Sequence, residues 1–78
     1  MKNKKKNNKT LKTIGERLKK ARENSGMSVY EVAKKTGMNA SYIERIEAGN
    51  AIRLNISQTE ILSESLNTDL YEIIKGLP

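Results

Sequence analysis

Apolar residues along this 78-residue chain never occur in runs longer than two, as at Val32-Ala33, Ile61-Leu62 and Ile73-Ile74. They return at intervals of three and four, the period of a helix with one inward face, and strand signals are absent. Start and stop signals divide this pattern into five short helices. Thr13-Ile14-Gly15-Glu16 has capping-box spacing, so the first helix is expected to open there, carry Ile14, Leu18 and Ala21 inward, and end near Gly26. Ser28-Val29-Tyr30-Glu31 repeats the box before Val32 and Ala33, and Gly37 is placed to take the left-handed conformation that closes a helix. Asn39 is expected to cap a third helix running through Ala48, with Ile43 and Ile46 inward and Gly49 as terminator. Ser57-Gln58-Thr59-Glu60 predicts a fourth bearing Ile61, Leu62 and Leu66, and Asp69 opens a fifth bearing Leu70, Ile73 and Ile74.

Size and composition narrow what such a chain can do. Seventy-eight residues bury enough surface for one small domain and no more. There is no cysteine and no histidine, which removes disulfides, thiolate and imidazole metal sites, thiol nucleophiles and every catalytic arrangement built on a histidine base. The carboxylates are scattered over helix surfaces, the five glycines form no phosphate loop, and a core this thin encloses no substrate pocket. Neither an enzyme nor a cofactor or metal site is expected. Signal peptides need an apolar stretch of roughly 7 to 15 residues and membrane helices about 20. With runs of two, the chain is expected to be cytoplasmic and to have no membrane partner.

The net charge of +6 points to nucleic acid or another anionic surface, and its distribution is uneven. Lys2, Lys4, Lys5, Lys6, Lys9 and Lys12 carry all of it, because residues 13 to 78 hold nine basic and nine acidic groups. Within that neutral part, residues 13 to 53 are net +3 and residues 54 to 78 net −3. The chain therefore reads as a disordered basic tail over residues 1 to 12 followed by a helical domain over residues 13 to 78. Two roles are open for the tail: keeping the protein in solution, or adding nonspecific attraction to phosphates.

The second and third helices are joined by about three residues around Gly37, too few for coaxial continuation and suited to a crossing near 90 to 120°. Such a crossing needs a small residue at the approach, a glycine in the turn and a branched apolar residue on the second helix. Ala33, Gly37 and Ile43 supply them in that order. With the flanking helices included, residues 13 to 75 resemble the lambda-repressor-like family of helix-turn-helix DNA-binding domains, also called the Cro/C1 or xenobiotic-response-element family. Ile14 to Arg22 is similar to the family's first helix, Ser28 to Gly37 to its second, and Ser41-Tyr42-Ile43-Glu44-Arg45-Ile46-Glu47-Ala48-Gly49 to its recognition helix. The resemblance implies an all-α, five-helix fold and an architectural ion pair between Arg22 and Glu47. It also implies that Asn50 and Arg53, in the loop after the third helix, touch the DNA backbone. The chain departs from the family pattern at Val29 and Ala40, where polar readers are common, at Asn50, where Lys or Arg is frequent, and in the added negative charge of Glu44.

Each helical residue turns the chain by about 100°, which independently selects the outward face of the third helix. With Ile43 and Ile46 inward, Ser41, Glu44, Arg45 and Ala48 face away. The N-terminal part of such a helix enters the major groove, making Asn39, Ala40, Ser41, Glu44 and Arg45 the candidate base readers. Arg45 ranks first because its guanidinium can bridge guanine O6 and N7 and no acid lies one turn away. Lys35 and Lys20 are accounted for as helix-surface partners of Glu31 and Glu16, and Tyr42 as a half-buried ring beside the core. Phosphates are expected at the helix starts, at Val29, Tyr30 and Asn39.

The expectation is a transcriptional regulator, of repressor type, that binds double-stranded DNA as a homodimer. Leu70, Ile73, Ile74 and Leu77 either form the interface or close the core. With no further domain, no small-molecule effector is expected. The alternative is a protein-interaction module on the same fold.

Overall fold

The computed structural model describes residues 3–77. Among them there are five helices and no strand: α1 Asn3–Asn24, α2 Val29–Thr36, α3 Ala40–Glu47, α4 Ile56–Ser65 and α5 Leu70–Ile74. α1 packs against α3, α4 and α5, α2 against α3 and α4, and α4 against α5. The core takes Leu18 from α1, Val32 from α2, Ile43 and Ile46 from α3, Leu62 and the adjoining Leu66 from α4, and Ile73 from α5, with Ala51 sealing it from the α3–α4 loop. Among the described residues, no helix is long and apolar enough to cross a membrane.

Two helix starts differ from expectation, and a third, as expected at Asn39, lacks its side-chain cap. α1 begins at Asn3, so the segment read as a disordered tail belongs, from Asn3 on, to the first helix; Met1 and Lys2 lie outside the described residues. Nothing between Asn3 and Thr13 is a glycine or proline, and half-buried Leu11 is in phase with Ile14 and Leu18. Thr13 is therefore an interior residue rather than a cap, and its hydroxyl donates to the Lys9 carbonyl at 3.2 Å. α4 is capped by Asn55, two residues before the expected box. Asn55 Oδ1 accepts the Gln58 amide at 2.8 Å, and Gln58 Oε1 faces the Asn55 amide at 3.4 Å. The overlapping box loses because the Asn55 register turns Thr59 inward, where its hydroxyl donates to the Asn55 carbonyl at 2.8 Å. Asn39 stands at the N-cap position of α3 but makes no side-chain cap.

The C-terminal apolar residues go mostly inward. Ile73 is in the core at 3% exposure, half-buried Ile74 packs against it, and Leu70 and Leu77 are half-buried. Polar groups of α1, of the turn after it and of α2 hold the C-terminal helices in place. Arg17 Nη1 donates to the carbonyls of Ile73 at 2.9 Å and Lys75 at 2.7 Å, satisfying acceptors that the end of α5 leaves open. Ser25 Oγ and Lys35 Nζ do the same for the end of α4, at the carbonyls of Leu66 and Ser65. Lys35 is thus not paired with Glu31, whose carboxylate instead accepts the Ser28 amide at 2.7 Å.

Candidate nucleic-acid interface

Local chemistry sets the angle between α2 and α3. Ser28 Oγ accepts the Glu31 amide while Glu31 closes the reciprocal bond, so α2 starts with a complete capping box. It ends at Gly37, whose φ of 80° lies where a Cβ is unfavourable and whose amide reaches the Ala33 carbonyl at 2.8 Å. The chain then leaves through Met38 and Asn39 into α3.

α3 is fixed from behind. Ile43 and Ile46 are 2% and 1% exposed. Gly15 of α1 lies so close that a Cβ there would collide with the backbone carbonyl oxygens of Ile46 and Glu47. Farther along, Arg22 Nε meets Glu47 Oε2 at 2.6 Å and Nη2 meets Oε1 at 3.0 Å, the fork-to-fork geometry of a strong arginine–carboxylate pair. Nη1 also donates to the Met27 carbonyl at 2.9 Å, and both side chains are largely withdrawn from solvent. Hydrogen bonding to Glu47, reinforced by its charge, holds the Arg22 guanidinium above its ordinary pKa against the opposing effect of burial. A shallow cleft bordered by Lys19, Val29, Glu44 and Ala48 lies over this ion pair, so the pair supports the outward face directly.

The outward face carries Ser41, Glu44, Arg45 and Ala48, all exposed, with exposed Asn39 and half-buried Ala40 at its leading end. Arg45 makes no ion pair among the described residues. Tyr42 is half-buried beside the core and its hydroxyl donates to Gln58 Oε1 at 3.1 Å, tying α3 to α4. At the start of α2, Val29 packs against the core and leaves only its backbone for a ligand, whereas Tyr30 stands 73% exposed.

α3 ends in a Schellman closure: the Asn50 amide bonds the Arg45 carbonyl at 2.9 Å, and the Gly49 amide that of Ile46 at 3.0 Å. The Asn50 amide is thereby used, and its exposed side chain is what remains available, next to exposed Arg53. Three residues escaped the sequence reading: Gly15, which sets the approach of α1 to α3, and the exposed Ile52 and Ile56 near the loop. Gly15 carries no mark distinguishing close approach from an ordinary helical glycine. Ile52 and Ile56, exposed at 73% and 60% beside Arg53, read equally well as core.

The family model for a helix-turn-helix domain matches residues 13–72, which takes in α2, the Gly37 turn, α3 and their supports. No curated protein and no solved structure matches the chain. On that match, and on the geometry of the two helices around Gly37, the chain belongs to the helix-turn-helix family of Cro/C1-like, xenobiotic-response-element type.

Proposed function

We propose that the domain is a sequence-specific transcriptional regulator, of repressor type, that reads the major groove of double-stranded DNA with α3. The observation that carries this reading is the separation of α3 into two faces, with Ile43 and Ile46 buried and Ser41, Glu44 and Arg45 exposed. Arg45 bridges a guanine edge, while Asn39 and Ser41 supply shorter contacts. Glu44 accepts from cytosine and Ala40 makes only an apolar contact. The free backbone amides of Val29 and Tyr30 at the start of α2, the Tyr30 hydroxyl, Asn50 and Arg53 hold phosphates on either side.

A lone module of this size reads few base pairs, so two copies bind half-sites about 34 Å apart on a palindrome. The exposed pair Ile52 and Ile56 supports an interface near the α3–α4 loop better than Ile73 and Ile74, which the core absorbs. Such a protein acts in the cytoplasm.

Selection of bound fragments from random duplex DNA, followed by titration of the enriched site, tests the reading. The expected product is a two-fold motif. Arg45→Ala should lower discrimination at one position of each half-site by roughly 5- to 150-fold, the equivalent of ~1 to 3 kcal/mol. Arg53→Ala should weaken all sequences alike and reduce the salt slope by about one. Equal, sequence-independent losses for both variants would remove Arg45 from base reading, and absence of any enriched motif would refute the function.

A further inference from the structure

We infer that the lysine-rich beginning of α1 is a second duplex-binding element, which lies along backbone phosphates outside the half-site read by α3. This rests on the DNA-binding reading above and extends its footprint. All the net positive charge of the chain falls within residues 2 to 12, which contain six lysines and no acid. The helix start gives that charge a direction. α1 is continuous from Asn3 to Asn24, so its first turns lead away from the part of the helix that Gly15 and Arg22 lock against α3.

The point of departure is defined by Lys12, whose backbone packs on Gly49: a Cβ there would come within 2.8 Å of the Lys12 Cα. Gly49 ends α3 and opens the loop that carries Asn50 and Arg53. Toward its start, α1 thus passes from Glu47, opposite Gly15, to Gly49, opposite Lys12, and continues beyond for about 14 Å at 1.5 Å per residue. By helical register, positions 5, 9 and 12 share one stripe, and Lys9 and Lys12 are exposed. The stripe therefore adjoins the loop proposed to hold phosphates.

The charge pattern of this segment is unfavourable without an anion. Lysines stand three or four residues apart at Lys5 and Lys9, Lys6 and Lys9, and Lys9 and Lys12, and like charges at those spacings repel. The first turn of α1 contains no acid, although the positive end of the helix dipole lies there. A polyanion relieves both effects. Duplex DNA supplies one negative charge per about 1.7 Å of axis, a density that a lysine helix can follow. An anionic membrane fits less well, because Met1 and Leu11 are the only apolar residues among the first twelve and Leu11 is turned half inward.

The test compares the full chain with its Lys4→Gln, Lys5→Gln, Lys6→Gln, Lys9→Gln variant on two duplexes. One is trimmed to the selected site and the other is extended by ten base pairs at each end. Glutamine keeps the helix propensity and removes the charge. The native chain should prefer the extended duplex, and the variant should not. The log-log salt slope on the extended duplex should fall by about 0.9 for each lysine that neutralises a phosphate, some two to four in total. Far-UV circular dichroism should show helix gained by the native chain when the duplex is added, while the uncharged variant is already the more helical without it. Equal slopes and equal preference for the two duplexes would overturn the inference, as would loss of binding to phosphatidylserine vesicles in place of DNA. If the slope falls on the extended duplex but not on the trimmed one while Arg45→Ala leaves sequence preference intact, the extension stands and the base-reading assignment fails; an equal fall on both duplexes overturns the extension.

Discussion

α2 and α3 are both eight residues long and meet at one glycine, yet they are held by different means. α2 is specified locally, by a reciprocal capping box at Ser28 and Glu31 and by the left-handed Gly37 at its end. α3 has no side-chain cap, and its register comes from elsewhere: two isoleucines in the core, the backbone contact with Gly15, the Arg22–Glu47 pair and the Schellman closure at Gly49. Chains of this length form marginal helices in water, so both draw on the core, but α2 is also closed by its own caps while α3 is locked by its neighbours. The difference suits their tasks. A helix whose orientation is set from behind can leave its leading end and outer face uncommitted, as the proposed reading of DNA by α3 requires.

Breaking the supports of α3 should therefore have the largest effects. Arg22→Met strands a carboxylate whose side chain is only 9% exposed, and removing one partner of a buried pair is expected to cost about 3 kcal/mol or more. Urea unfolding would measure this, and Arg22→Met combined with Glu47→Met should recover much of it, because the uncompensated charge is then gone. Because the guanidinium pKa is raised, the stabilisation is complete below its ordinary value and would be lost only as the pH rises past the elevated one. Titrating stability from neutrality to about pH 10, still well below the ordinary arginine value, should thus leave the Arg22 contribution intact. Gly15→Ala comes next. The added methyl meets backbone carbonyls that cannot rotate away, so α1 and α3 must separate, at about 2 kcal/mol after the gain in helix propensity. Both variants should weaken DNA binding beyond what their unfolded fraction explains, since α3 shifts as a unit.

The same contrast explains what was legible in the sequence. The locally specified parts were readable: the Ser28 box, Gly37, Asp69 at the start of α5, and the alternation of inward and outward residues on α3. The Arg22–Glu47 pair came from the family resemblance, which encodes tertiary contacts that a single chain does not display. Where several local solutions compete, the sequence was ambiguous. Thr13 and Glu16 have the spacing of a cap but lie inside a longer helix, because no breaker precedes them and Leu11 continues the apolar stripe. Asn55-Ile56-Ser57-Gln58 overlaps Ser57-Gln58-Thr59-Glu60, and only the inward turn of Thr59 and the Tyr42 bond to Gln58 decide between them. Arg17, bonded to carbonyls 56 and 58 residues away, has no local signature. The fate of Ile73 depends on how much core the other four helices leave to fill.

The cap positions themselves sharpen the comparison at the smallest scale. Ser28→Ala removes the acceptor of the Glu31 amide and leaves the reciprocal bond unsupported, so it should cost about 1 kcal/mol of stability, visible as a lower urea midpoint with an unchanged slope. Asn39→Ala makes the equivalent change at the start of α3, where no cap bond exists to be lost. Its effect on stability should stay within about 0.5 kcal/mol, the usual range for a surface position. On DNA the order should reverse: the exposed Asn39 amide stands at the leading end of the face proposed to read DNA, and its loss should reduce affinity for the selected site several-fold while Ser28→Ala, corrected for folding, changes it less. Comparable stability losses for the two substitutions would mean that α3 relies on its cap as α2 does, and that Asn39 is held for the fold rather than left available for a ligand.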